Sequence, residues 1–200
     1  MVDAAVAALR AGKPVIVPTD TVYGLAASPY REEHVRRLYR LKGRDDSQPT
    51  ALVASDVEML FECVPELRGR AGLIARALLP GPYTLIFQNP AARYPWLTGR
   101  SRSTIGVRVA ELPEPARTVL EAVGAVAATS ANLPGEPSPR RLDQVPDRLR
   151  EGVAAVVDGG ELPGVESTVI DCTGEEPHVL REGAVPADEA LARLRDALAA

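Results

Sequence analysis

The residues of this chain that could do chemistry are mostly hydroxyls, amides and cations. They are Thr19 and Thr21, Lys42 and Arg44, Thr104 and Arg108, Ser130 and Asn132, Ser167 and Thr168, and Arg181. Each lies at, beside or within the end of a short apolar run, or in the loop that follows one. If they converge, the cavity they line holds three or four cations and several donors, with few acids beyond Asp20. Arginine grips carboxylates and phosphates through a two-pronged fork and lysine acts as a compact charge, so such a lining suits a ligand carrying both groups. Arg44 or Arg108 taken alone reads equally well as a solvated surface charge. The joint placement carries the argument.

Other chemistries lack their residues. Gly12-Lys13 is followed by Pro14, which rules out a GxxxxGK[ST] phosphate loop, and neither GxGxxG nor GxSxG occurs. His34 and His178 have no metal-ligand spacing, and Cys63 and Cys172 form no CxxC pair and read as small core residues. No nucleophile and base can be assembled. The sequence therefore nominates neither a catalytic side chain nor a metal ligand.

Short elements must position these groups. Val15-Ile16-Val17 reads as a strand that stops at Pro18 and delivers Thr19 and Thr21 into a loop, with Asp20 between them and Gly24 permitting a turn or a close backbone approach. A strand end of this composition is where open α/β sheets bind ligands. Further strands are predicted over 51–54, 83–87, 104–109, 125–129, 154–157, 168–171 and 178–180. Helices are predicted over 2–11, 31–41, 67–78, 113–123, 146–151 and from 187, with Asp56 capping a short one. Residues 88–103, with the single tryptophan Trp96, read as a flap or a long surface loop. The expected class is α/β, a single domain over 1–200 with a twisted, mixed, open sheet and flanking helices around a basic cavity.

Composition is compatible with this. The 200 residues are 46% hydrophobic and 25% charged, with a formal net charge of -4, which argues against a surface that binds nucleic acid throughout. Of 23 basic residues only Lys13 and Lys42 are lysines, which draws attention to Lys42 in its Lys-Gly-Arg setting. The absence of a signal-like start, of a membrane-length apolar run and of paired cysteines predicts a cytoplasmic chain with reduced thiols and no membrane contact.

Taken together, Pro18 to Leu25, Lys42-Gly-Arg44, Pro80-Gly-Pro-Tyr-Thr84, Thr104 to Arg108, Ser130-Ala-Asn132, Asp158-Gly-Gly160, Glu166-Ser-Thr168 and Leu180-Arg181 resemble the Sua5/YciO/YrdC family. The resemblance covers nearly the whole chain in one order. It implies an L-threonylcarbamoyladenylate synthase, which joins L-threonine, bicarbonate or carbon dioxide, and ATP with Mg2+ to give threonylcarbamoyl-AMP and pyrophosphate. That adenylate feeds N6-threonylcarbamoyladenosine at position 37 of tRNA. By the same resemblance Thr21, Arg108, Ser130 and Ser167 hold L-threonine, and Lys42, Arg44, Gln48, Thr104, Asn132 and Arg181 hold ATP, with Lys42 and Arg44 facing the triphosphate. Thr19 and Asp20 gain no role.

The chain departs from the pattern at Val53, where many members carry a histidine that contacts threonine, and at Arg140, where many carry a threonine on the nucleotide side. It stops soon after the closing helix, which matches the short form without a C-terminal Sua5 domain. That form implies separate proteins that transfer the threonylcarbamoyl group to tRNA. Two further readings of the same cavity are a YciO-like paralogue and an RNA-binding module touching tRNA. A carbamoyl-transfer domain of hydrogenase maturation would sit in a much larger chain.

Overall fold

Alternation along the strands decides which side chains meet a helix and which meet the cavity. The computed structural model describes residues 1–199. In order it runs α1 (Val2–Arg10), β1 (Val15–Pro18), β2 (Tyr23–Ala27), α2 (Glu32–Lys42), β3 (Ala51–Ala54), α3 (Val57–Cys63), α4 (Arg70–Leu78), β4 (Tyr83–Gln88) and β5 (Thr104–Val109). It continues with α5 (Ala116–Val123), β6 (Ala125–Ser130), α6 (Asp147–Gly152), β7 (Ala155–Val156), β8 (Thr168–Asp171), β9 (His178–Arg181) and α7 (Ala187–Ala199). All nine strands form one mixed sheet of order β7-β1-β2-β6-β3-β5-β4-β8-β9. The expected class of open mixed sheet with flanking helices is what the chain adopts.

The two faces of the sheet are treated differently. Ile16, Leu25, Leu52, Leu85, Val107 and Ile170 point to the face covered by α2, α3, α4, α6 and α7, where the larger core forms. Val15, Ala26, Val53 and Val126 point to the other face, where α1 and α5 bring Ala5, Leu9, Val119 and Leu120 into a smaller core. These two helices cover only part of that face. On β5, Ile105, Val107 and Val109 are buried, so period-two alternation turns Thr104, Gly106 and Arg108 toward the part left open.

One strand is missing from the sequence reading. Residues 18–25 do not lead from a strand through a loop to a helix; β1 and β2 form an antiparallel hairpin with Pro18 opposite Tyr23. Tyr-Gly-Leu-Ala-Ala has modest strand preference, and β2 owes its extension to hydrogen bonding between β1 and β6, where all five residues are buried. Gly24 accordingly lies within a strand rather than in a turn.

The turn is residues 19–22, closed by Thr19 N–H donating to Val22 O at 3.2 Å. The Thr19 hydroxyl reinforces it, accepting from the backbone N–H of Thr21 and Val22 and donating to Val22 O at 2.7 Å. Elsewhere local signals match the structure. Asp56 accepts the Met59 N–H at 2.8 Å as the cap of α3, and Gly43, at φ 69°, supplies the left-handed cap that ends α2.

The long β4–β5 connection is pinned rather than loose. Trp96 donates its indole N–H to Pro29 O at 2.8 Å, Tyr39 donates to Trp96 O at 3.0 Å, and Thr50 N–H donates to Leu97 O at 2.9 Å. Both cysteines are buried and free, and burial pushes the Cys172 thiol up to about 12. Among the described residues no helix is long and apolar enough to cross a membrane.

Tyr23 fastens β2 to the Asp158-Gly-Gly turn. Its buried hydroxyl lies 2.7 Å from Asp158 Oδ1 and 2.8 Å from Gly160 O, and it accepts the Gly159 N–H at 3.1 Å. Tyr23→Phe removes these contacts and leaves their partners short, which should cost about 1–3 kcal/mol. A urea midpoint unchanged from wild type would contradict this role.

Candidate functional site

A cavity with about 1100 Å³ of empty space, partly open to solvent, lies on the incompletely covered face of the sheet. Its polar part is lined by Thr19, Thr21, Arg44, Thr84, Arg108, Thr129, Ser130, Glu166, Ser167 and Arg181. An apolar end formed by Leu9, Val17, Val53, Leu112, Val119, Leu120 and Val126 runs beneath α1 and α5. This mixture of polar donors and apolar surface suits a ligand with both charged and apolar parts.

The sequence-nominated groups are brought together in two tiers. Thr21, Arg44, Arg108, Ser130, Ser167 and Arg181 line the cavity directly. Lys42, Gln48 and Asn132 stand one contact behind. The Lys42 ammonium is turned onto the end of β6, donating to Ser130 O at 2.5 Å, Thr129 Oγ1 at 3.1 Å and Asn132 Oδ1 at 3.1 Å. Gln48 Oε1 accepts from Arg44 Nε at 3.0 Å. Asn132 accepts from the Ser130 hydroxyl at 2.6 Å and fixes its direction. Thr104 shares a strand face with Arg108 but lies four residues along it, a distance of about 13 Å at the usual strand rise.

Thr129 was not foreseen. Its hydroxyl oxygen accepts from Lys42 Nζ at 3.1 Å and from Arg44 Nη1 at 2.9 Å, so two cationic heads meet at one atom. Its own proton remains for the cavity. Thr84 was also passed over as a site residue, although its place one residue from Tyr83 on a strand with alternating burial was a readable signal. Its hydroxyl lies 2.9 Å from that of Ser167.

The cavity lining holds few acids, as expected, but the carboxylate on its wall is Glu166 rather than Asp20. Glu166 lines the cavity and is bound by Arg181 Nη1 and the Ser138 hydroxyl. Arg181 also donates to Ser167 O at 2.9 Å. Asp20 itself pairs with Arg108 Nη2, which donates in addition to Thr21 Oγ1 at 2.9 Å. Val53 sits beside Arg108 in the β3–β5 ladder and gives that wall an apolar surface, while Arg140 pairs with Glu161 and is not among the lining residues.

The cations therefore fall into two classes. Arg108 and Arg181 each have a carboxylate, whereas Lys42 and Arg44 form no ion pair among the described residues. Burial, with the neighbouring charge of Arg44, lowers the Lys42 ammonium to about 8, and burial also lowers Arg44. Two desolvated cations hydrogen-bonded to neutral oxygens are poised for an anion, which would restore their preference for charge. Among the described residues there is no group of three His, Cys, Asp or Glu able to hold a metal.

The family model Sua5_yciO_yrdC, described as telomere recombination, matches residues 7–183. The threonylcarbamoyl-AMP synthase of Pyrococcus abyssi (strain GE5 / Orsay) is 35% identical over 182 residues, covering 90% of this chain and 53% of that protein. The chain thus spans about half the length of that relative. The crystal structure of P. abyssi Sua5 complexed with L-threonine matches with a TM-score of 0.87 at 34% identity, covering 96% of this chain and 56% of the other. That of E. coli YciO matches at 0.81 and 29% identity, covering 92% and 90%.

The buried Lys42 ammonium couples stability to pH. Its folded pKa of about 8 lies below the ordinary lysine value, so between the two the unfolded chain binds more protons and stability rises with pH. Relative to Lys42→Met, which lacks the titrating group, wild type should gain urea resistance as pH rises from about 8 to about 10. A stability difference that stays flat across that window would contradict the buried, charge-stressed lysine.

Proposed function

The chain belongs to the Sua5/YciO/YrdC family, and on that premise we propose that it is an L-threonylcarbamoyladenylate synthase, a nucleotidyltransferase acting on L-threonine, bicarbonate or carbon dioxide, and ATP. The observation that carries this reading is the split among the cavity's cations. Lys42 and Arg44, hydrogen-bonded to neutral oxygens only, offer charge to a polyphosphate, while Arg108 offers donors beside several hydroxyls to a small carboxylate. The likeness to P. abyssi Sua5 complexed with L-threonine supports the assignment of the amino acid.

In this reading Thr21, Arg108, Ser130 and Ser167 hold L-threonine, and Lys42, Arg44, Gln48, Thr104, Asn132 and Arg181 hold ATP. Nη2 of Arg108 is spent on Asp20 and Thr21, so the threonine carboxylate takes Nη1. The amine is left free. It adds to carbon dioxide with loss of one proton, and an oxygen of the resulting carbamate attacks the α-phosphorus. The bond from that phosphorus to the bridging oxygen breaks and pyrophosphate leaves.

Because the nucleophile belongs to the substrate, the protein supplies orientation and charge rather than a reactive side chain. This accounts for a cavity with neither cysteine nor histidine on its walls. Mg2+ fits as an ion carried chiefly by the triphosphate, since the carboxylate lining the cavity, Glu166, is already engaged by Arg181 and Ser138. Glu166 and the hydroxyls of Thr84 and Ser167 are the groups it would reach, and it would offset phosphate charge there. The adenylate would supply the threonylcarbamoyl group placed on adenosine 37 of tRNA.

The likeness to E. coli YciO favours one second reading, a paralogue with the same cavity. A single assay separates the two. The folded chain with ATP, bicarbonate and Mg2+ should release pyrophosphate only when L-threonine is added; no threonine-dependent release would sink the synthase reading. In the same assay Arg108→Ala should raise the threonine KM by about 10-fold or more while the ATP KM changes little, as expected for one charge-assisted carboxylate contact. Equal loss for both substrates would contradict the division of the cavity.

A further inference from the structure

The Asp20–Arg108 pair is the most enclosed ion pair of the cavity. The two side chains are 10% and 11% exposed, and Nε of Arg108 is buried without a partner. A guanidinium at such a site has several donor edges and could present any of them. Here Nη2 gives one hydrogen to Asp20 Oδ1 and another to Thr21 Oγ1. The second carboxylate oxygen of Asp20 is not free to swing, because it accepts the Glu111 N–H at 3.3 Å from the loop after β5.

The hydroxyls continue the chain of constraint. The 3.0 Å contact between the Thr19 and Thr21 hydroxyls ties Thr21 to the turn that Thr19 closes. Thr21 must present a lone pair to Arg108, as the 2.9 Å contact requires. Asp20 is not itself among the cavity-lining residues. It stands behind Arg108, as an orienting carboxylate stands behind a functional group it holds in place.

We propose that Asp20 is a positioning residue for amino-acid recognition: by binding Nη2 from behind, it fixes Arg108 so that Nη1 faces the cavity as the carboxylate-binding edge. The charge of Asp20 also offsets the burial of Arg108, which keeps the guanidinium in place before any substrate arrives. This rests on the synthase reading, and specifically on Arg108 holding the threonine carboxylate.

Asp20→Asn keeps the shape and one acceptor oxygen but removes the charge. Initial-rate kinetics of pyrophosphate release should show the threonine KM raised about 10-fold or more, in the range found when an orienting partner is lost, with the ATP KM within about twofold of wild type. An unchanged threonine KM, or a parallel rise in both KM values, overturns the proposal. Wild type that shows no threonine-dependent release overturns the underlying reading instead.

A second measurement needs no Asp20 variant. The Nε–H resonance of Arg108, assigned by its loss in Arg108→Lys, should persist in a nitrogen–proton correlation spectrum of substrate-free wild type, because the held guanidinium exchanges slowly. A signal that emerges only when L-threonine is added would mean that the substrate, not Asp20, orders Arg108, and the proposal falls.

Discussion

Lys42 and Arg44 are two positive charges held close together whose hydrogen-bond partners are all neutral oxygens. Their heads meet at the Thr129 hydroxyl, and Ser130 O, Asn132, Gln48 and Pro49 O take the remaining contacts. Such an arrangement is costly in an empty protein, since burial works against the charged form of each group. The fold tolerates it because α2 ends in a left-handed glycine that turns the chain between the two cations, and because β6 brings a carbonyl and hydroxyls to meet them. The rest of the cavity is arranged around this stored demand for an anion.

Across the cavity the opposite solution is used. Arg108 and Arg181 carry carboxylate partners, so their charges are largely offset and their remaining donors serve direction more than attraction. The contrast suits a ligand with a highly charged polyanionic end and a small carboxylate end. It also explains how a site can support bond formation without a nucleophilic side chain: placement and charge offset are the contributions a protein can make when the substrates supply the reacting atoms.

The sheet makes this possible by dividing labour between its faces. Most helices pack on one face and give the larger core, whereas α1 and α5 cover only part of the other. What they leave open is lined by Thr84 of β4, Arg108 of β5, Val169 of β8 and the ends of β6 and β9. Thr84 and Arg108 are therefore presented by rigid strands whose alternate residues are locked in the core, which holds them more firmly than a loop would.

Much of this was legible in the chain itself. Alternation and helical spacing located most of the elements, because those patterns are imposed by local geometry and by the need to bury one face of each. Lys42, Arg44, Arg108 and Arg181 could be singled out because each follows or interrupts an apolar run. What the sequence left undetermined was pairing. β2 is a strand only because β1 and β6 flank it; Thr129 matters because two cations from another segment reach it; Glu166 and Asp20 gain meaning only when Arg181 and Arg108 arrive beside them. Residue types and spacing fix what a side chain can donate or accept, but which partner it meets depends on contacts between segments that can lie 137 residues apart, as Tyr23 and Gly160 do, and these exist only once the sheet has closed.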